Sequence, residues 1–308
     1  MIRSEKGWAL SRSRKGLTLA ALAAATVLAL SACSGGGAPP SQPEQQQGGG
    51  GGGGAGITVA MVTHAPPGDQ FWTKVQSGAE QAARETGLTL KYSSDKDSGN
   101  QATLVQNAID SKVNGIAVTL ANPDAMAGAV KAATDAGIPV VALNAGLDQY
   151  QELGVLMYFG SDEAVAGEAG GKRLAAMGAK KVLCPIQAAG VISLETRCAG
   201  IKKGVPNTEN VQVNGEDDSA VVSTLQAKLS QDKSIDHIVT LGSGIALDAL
   251  KAVEQSGSSA KVATFDLNTE VAQAIVDGKI LFAIDQQPWV QGYMSVIALY
   301  LNAKNNTR

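Results

Sequence analysis

From residue 57 onward the chain alternates between two kinds of stretch. Short, apolar-rich runs at 57–63, 88–93, 116–120, 138–143, 155–159, 181–186, 211–213, 237–241, 262–265 and 280–284 predict strands. Between most of them lie Ala-rich amphipathic stretches of helical period. One example is 100–113, whose Leu104, Val105, Ala108 and Ile109 fall on one inward face. Gly87, Gly137 and Gly257 stand where such helices should end. Continuous Val/Ile/Ala strands alternating with helices imply parallel sheets covered on both faces. Ten strands are too many for one such unit and suit two, so the expected fold is α/β with two Rossmann-like lobes, each built on a parallel sheet.

The polar residues that matter lie just past the strand ends. After Leu143 come Asn144, Ala145 and Gly146; after Leu120 come Ala121, Asn122, Pro123 and Asp124; after Phe265 come Asp266, Leu267 and Asn268. Ile284 is followed by Asp285, Gln286, Gln287, Pro288 and Trp289, and Leu241 by Gly242, Ser243 and Gly244. Side chains at the carboxyl ends of parallel strands converge on one crevice, where such folds bind ligands. Each also has a plainer reading. Asn122, Asp266 and Asn268 are good helix N-caps. Gly242 and Gly244 suit a tight turn, since neither the dinucleotide fingerprint nor a Gly-Lys-Ser/Thr ending is present. The first strand leads into Gly68-Asp69-Gln70-Phe71-Trp72, a conspicuous aromatic pair in a chain that is 4% aromatic. Flat ring faces beside an acceptor such as Asp69 suit a sugar. The alternative is that Phe71 and Trp72 simply cap the core under the first helix.

What precedes residue 57 is address and tether. Arg3, Lys6, Arg12, Arg14 and Lys15 form a basic start, and 17–30 is an uncharged apolar run, too short to span a bilayer and suited to a signal peptide. Leu30-Ser31-Ala32-Cys33 resembles the lipobox of bacterial lipoproteins, in which the cysteine, here Cys33, is lipidated and becomes the mature first residue. Residues 34–56 are Gly, Gln, Pro and Ser with one charge, which makes a flexible linker. The leader carries +4 of a formal net charge of −3, leaving −7 for the remainder. That balance gives no support for a nucleic-acid binder.

Cys184 lies in a strand-like run and Cys198 in the following helix-like segment, in a compartment where disulfides persist. A disulfide and two buried free thiols are both open. No metal site and no cofactor are expected, because no His stands near the cysteines and the phosphate-binding motifs are missing. Of the two histidines, His64 is placed to act as a base, but Gly242-Ser243-Gly244 lacks the nucleophile-elbow spacing, so the chain is not expected to be an enzyme.

Three features taken together resemble the ribose-binding-protein branch of the periplasmic sugar-binding proteins (type I). They are the first strand followed by Phe71-Trp72, Gly115-Ile116-Ala117-Val118 before Asn122-Pro123-Asp124, and Gly137-Ile138-Pro139 leading through Leu143 to Asn144. Thr264-Phe265-Asp266 and Asp285-Gln286-Gln287-Pro288 extend the likeness across 57–308. It implies two lobes joined by a hinge, a monosaccharide or related polyol closed between them, and delivery to the permease of an ABC importer. It also implies a monomer held outside the cytoplasmic membrane by its lipid anchor alone. A tethered ligand-binding component of a sugar-sensing or chemotaxis system is the alternative. A lactose-repressor-type regulator shares the fold, but the leader and the lack of a helix-turn-helix region before residue 57 argue against it.

By position, the resemblance implies that Phe71 and Trp72 stack on the sugar with Asp69 just before them. Arg197 would donate to sugar oxygens, Asp266 would accept from hydroxyls, and Gln286 would be a hinge-side amide. Asn144 stands where many members have an Asp followed by an Arg, but Ala145 follows here. Gly242 replaces a frequent asparagine. Asp218, or its neighbour Asp217, lies near the site of another family contact. The expected lobes are 57–160 plus 286–308 and 161–285, after a signal peptide at 1–33 and a linker at 34–56. Relatives usually continue with a further strand and a third crossing, so this chain is expected to be truncated or to have a two-crossing hinge.

Overall fold

Both sheets in the computed structural model, which describes residues 53–305, are five-stranded and wholly parallel. The signal peptide, the proposed lipidation site Cys33 and nearly all of the linker lie outside the described residues. The first sheet comprises β1 (Thr58–Thr63), β2 (Thr89–Ser94), β3 (Gly115–Thr119), β4 (Val140–Leu143) and β5 (Tyr158–Phe159), in the order β2-β1-β3-β4-β5. The second comprises β6 (Val182–Ile186), β7 (Thr208–Gln212), β8 (His237–Thr240), β9 (Lys261–Phe265) and β10 (Ile280–Ile284), in the order β10-β9-β8-β6-β7. All ten strands coincide with the apolar runs within a few residues.

The connecting helices are α1 (Gln70–Thr86), α2 (Ser98–Asp110), α3 (Pro123–Asp135), α4 (Glu163–Ala176), α5 (Ile192–Gly204), α6 (Asp218–Gln231), α7 (Ser243–Ser256), α8 (Thr269–Val276) and α9 (Pro288–Asn305). The strands are apolar at successive positions because helices cover both faces. Val59 and Met61 of β1 pack with Val75 and Ala79 of α1 and Val296 and Leu299 of α9. Ala60 and Val62, pointing the other way, pack with Val105 of α2 and Val130 of α3. In the second lobe Leu183, Ile238 and Val262 face α6 to α8, whereas Val182, Cys184 and Val239 face α5. The chain leaves the first sheet after Phe159, and after Ile284 it returns, where α9 packs along α1.

One helix pair positions the site. Along α4 and α5, glycines meet glycines. A Cβ on Gly167 would lie 2.5 Å from the Arg197 carbonyl oxygen, and one on Gly200 would lie 2.8 Å from Gly167. Farther along, Gly171 and Gly204 meet in the same way. The two backbones therefore come into contact, and the first residue of α4 reaches a side chain one turn into α5. The bond between Cys184 and Cys198, with sulfurs 1.98 Å apart, ties α5 to β6 immediately beside Arg197. Gly200→Ala should force the helices apart at a cost of about 1–3 kcal/mol. Urea unfolding of that variant measures the cost, and a midpoint equal to the wild type's would show that the packing has slack.

Candidate functional site

The end of β1 delivers His64 and, after a turn, Asp69. The Asp69 side chain caps α1, its Oδ1 accepting from the backbone N–H of Phe71 at 2.7 Å and of Trp72 at 3.3 Å. One carboxylate oxygen does this work, so the cap and an outward acceptor are compatible. Burial raises the Asp69 pKa against the pull of those two N–H groups. The aromatic pair is not two open faces. Trp72 is 7% exposed and belongs to the core, while Phe71 is half-buried and meets it edge-on at 5.1 Å. His64 contacts Trp72 at 4.7 Å, with its Nδ1 2.8 Å from Thr119 Oγ1. Burial, and then the charge of Arg197, lower its pKa to about 4, so His64 is neutral at neutral pH. Asn144, past β4, is buried with φ 67°, and its carbonyl accepts from Tyr158 Oη at 2.9 Å.

From the second lobe comes a connected, buried polar group. Arg197, 3% exposed, donates from Nε and Nη2 to the two carboxylate oxygens of Glu163 at 2.5 and 2.8 Å. Nη2 also donates to Gln286 Oε1 at 2.5 Å, and Nη1 to the Leu241 carbonyl at 3.3 Å. Gln286 Nε2 in turn donates to Asp266 Oδ1 at 2.7 Å. The guanidinium lies 5.1 Å over the Phe265 ring. The guanidinium expected to donate to ligand oxygens is thus largely committed to protein partners. Four of its five N–H groups are engaged within the protein, and one, on Nη1, is left.

Of the three residues with a capping alternative, Asn122 and Asn268 do cap α3 and α8, accepting from Ala125 N at 3.2 Å and Val271 N at 2.7 Å. Asp266 instead turns its carboxylate to Gln286, from a backbone with φ 66°. Positive φ at Asn144, Asp266 and Gln287 marks the ends of β4, β9 and β10 as sparsely populated conformations of the kind that cluster at functional sites. Burial raises the Asp266 pKa to about 7, against the lowering effect of Arg197 and the Gln286 bond, with Glu163 and Asp69 adding to the rise. Burial opposes the Arg197 charge, but the bond and charge of Glu163, with the charges of Asp266 and Tyr158 added, raise its pKa and hold the group protonated.

The two lobes touch across this cluster. Lys74 Nζ donates to the Leu267 carbonyl at 2.5 Å, Asn268 Nδ2 to Gln70 Oε1 at 3.2 Å, and Ile192 N to the Ala121 carbonyl at 3.0 Å. Lys96 and Glu216 form an ion pair at 2.6 Å. Asp218 is not brought in: it is exposed in the first turn of α6, and its charge is felt by Asp248 and Lys251 of α7. Glu163 is the residue that sequence reasoning missed. Among the described residues no group of three or more His, Cys, Asp or Glu is placed to hold a metal, and no helix is long and apolar enough to cross a membrane.

A profile of the periplasmic binding protein domain matches residues 59–307. Among solved structures, a carbohydrate transporter from Acidothermus cellulolyticus, in complex with myo-inositol, is 50% identical. It superposes with a TM-score of 0.80, over 82% of this chain and 88% of that one. A periplasmic sugar-binding protein from Legionella pneumophila is 25% identical, with a TM-score of 0.76 over 82% and 96%. The xylose/arabinose-binding protein of Sulfolobus acidocaldarius is 28% identical over 77% of this chain, which spans 64% of that protein's length. The ribose import binding protein of Escherichia coli is 27% identical over 75% of this chain and 79% of its own.

Proposed function

The chain belongs to the periplasmic binding protein family, and from that premise we propose that it binds a cyclic polyol or monosaccharide between its lobes and delivers it to an ABC importer. The observation that carries this reading is the buried run Arg197, Gln286, Asp266. It reaches from α5 through the returning segment to the end of β9, where the charge of Asp69 from the other lobe acts on Asp266. Such a run offers a carboxylate to accept hydroxyls and a guanidinium N–H to donate, which suits a neutral polyhydroxylated ligand. Nothing in it forms a nucleophile or an acid–base pair poised for bond breaking. The myo-inositol held by the 50% identical relative supports a cyclic polyol as the first candidate. Ala145, in place of the arginine frequent beside that position, points the same way, away from a ribose pattern.

In this reading 57–160 with 286–308 and 161–285 are the closing lobes, and 160–162 and 285–287 are the hinge. The ligand favours the closed state through contacts with both lobes at once. Cys33 carries the lipid that holds the protein at the outer face of the cytoplasmic membrane. Loss of membrane association in a Cys33→Ser protein expressed in a Gram-positive host is the check on that anchor.

The cargo is tested by thermal shift and calorimetry of a leaderless protein against inositols, pentoses and hexoses. A ligand at 100 times its dissociation constant should stabilise the fold by about 2.7 kcal/mol. A folded protein indifferent to the whole panel would sink the polyol reading.

A further inference from the structure

Resting on that binding reading, we infer that Gln187 is a ligand contact that determines specificity from the second lobe. Gln187 follows β6, which lies between β8 and β7. Pro185 has no N–H to offer, and the β6–β8 ladder stops at Leu183, whereas β6 stays paired with β7 through Ile186. The carboxyl ends of β6 and β8 are therefore free to splay, and Gln187 emerges between them.

Its neighbours at this edge are glycines. A Cβ on Gly242, past β8, would lie 3.2 Å from Gln187 Nε2, and one on Gly215, past β7, would lie 2.6 Å from Gln187 Cβ. The amide of Gln187 thus takes up space that side chains at 215 and 242 would otherwise use. Gly215 N donates to the Gln187 carbonyl at 3.1 Å, which fixes the backbone.

The side-chain amide is unspoken for. Its Oε1 is buried without a hydrogen-bond partner, and no bond engages its Nε2. Two other orphaned amide oxygens differ in kind. Gln101 and Gln291 are each anchored through Nε2, to Thr119 and to the Gln286 carbonyl respectively. This edge also faces the other lobe, because Glu216, one residue past Gly215, pairs with Lys96 beyond the end of β2. Arg197, Gln286 and Asp266 spend most of their hydrogen-bonding capacity on one another and on Glu163, so Gln187 adds a free acceptor and donor on this side. A primary amide presents the two side by side, a match to adjacent hydroxyls on a polyol ring.

Calorimetry of the wild type and Gln187→Ala, with myo-inositol, the panel monosaccharides and the single-deoxy analogues of whichever binds, tests this. Gln187→Ala should weaken binding about tenfold or more while leaving the ligand-free melting temperature unchanged. The penalty should vanish for the deoxy analogue lacking the hydroxyl that Gln187 contacts. Unchanged affinity, or an equal loss for every analogue, would overturn the assignment while leaving the polyol reading intact. A wild type that binds nothing on the panel overturns both.

Discussion

Arg197→Ala should lose about 3–5 kcal/mol of stability, because it leaves the buried Glu163 carboxylate without its partner. Glu163 is buried and receives two bonds from this arginine. The same change removes the donor that holds Gln286 in line with Asp266, so ligand affinity should fall by roughly a hundredfold or more, as for loss of a buried charged bond. The two effects can be separated. Glu163→Gln with Arg197→Met removes both charges while keeping much of the volume, and should recover most of the stability without recovering binding. Denaturant unfolding of Glu163→Gln, Arg197→Met and the double variant gives the coupling between the residues, expected to be large for groups in direct contact. Single losses that merely add would mean that Glu163 does not hold Arg197 in place.

Glu163 also shows where the sequence stops being legible. An acidic residue in the first turn of a helix, following the cap Asp162, has an ordinary explanation in the helix dipole, and nothing local marks it as buried. Its burial depends on α4 and α5 approaching at glycines, and its partner is 34 residues away. A signal was present in the four-residue spacing of Gly167 and Gly171 and again of Gly200 and Gly204, a pattern that brings two helix backbones together. The strands, by contrast, were legible because β-structure covered on both faces leaves continuous apolar runs. The positions of Asp69, Asn144, Asp266 and Gln286 followed from where those runs stop. Their partners did not follow: Asp69 caps a helix while its charge also acts on Asp266, and Asp266, as good a cap by sequence as Asn268, turns its carboxylate to Gln286. Asp218 looked equivalent to its neighbours in sequence because the loop after β7 gives no fixed register.

Asp266 makes stability and binding move in opposite directions with pH. Its carboxyl is raised from 3.8 to about 7 chiefly by burial, so the folded ligand-free protein holds a proton that the unfolded chain releases. This contribution is fully present below about pH 4 and is lost as pH rises through about 7. A shift of roughly three units corresponds to about 4 kcal/mol. His64 acts in the opposite sense. Held neutral with a pKa of about 4, it favours the folded state above pH 6.5 and loses that effect as pH falls toward 4. The wild-type profile between pH 4 and 7 is therefore a difference of two slopes, and the informative quantity is the comparison with Asp266→Asn. Asparagine keeps an oxygen for Gln286 and cannot ionise, so the variant should match the wild type near pH 4 and exceed it by a few kcal/mol at pH 8. Its binding should be weaker at pH 8, because the ionised carboxylate is the stronger acceptor for ligand hydroxyls. In the wild type, binding near pH 7 should accordingly release a proton, seen as a dependence of the calorimetric heat on the ionisation enthalpy of the buffer. Parallel stability profiles for the two proteins, with no buffer dependence of the heat, would show that Asp266 is already ionised in the empty cleft and that its burial is offset by Arg197.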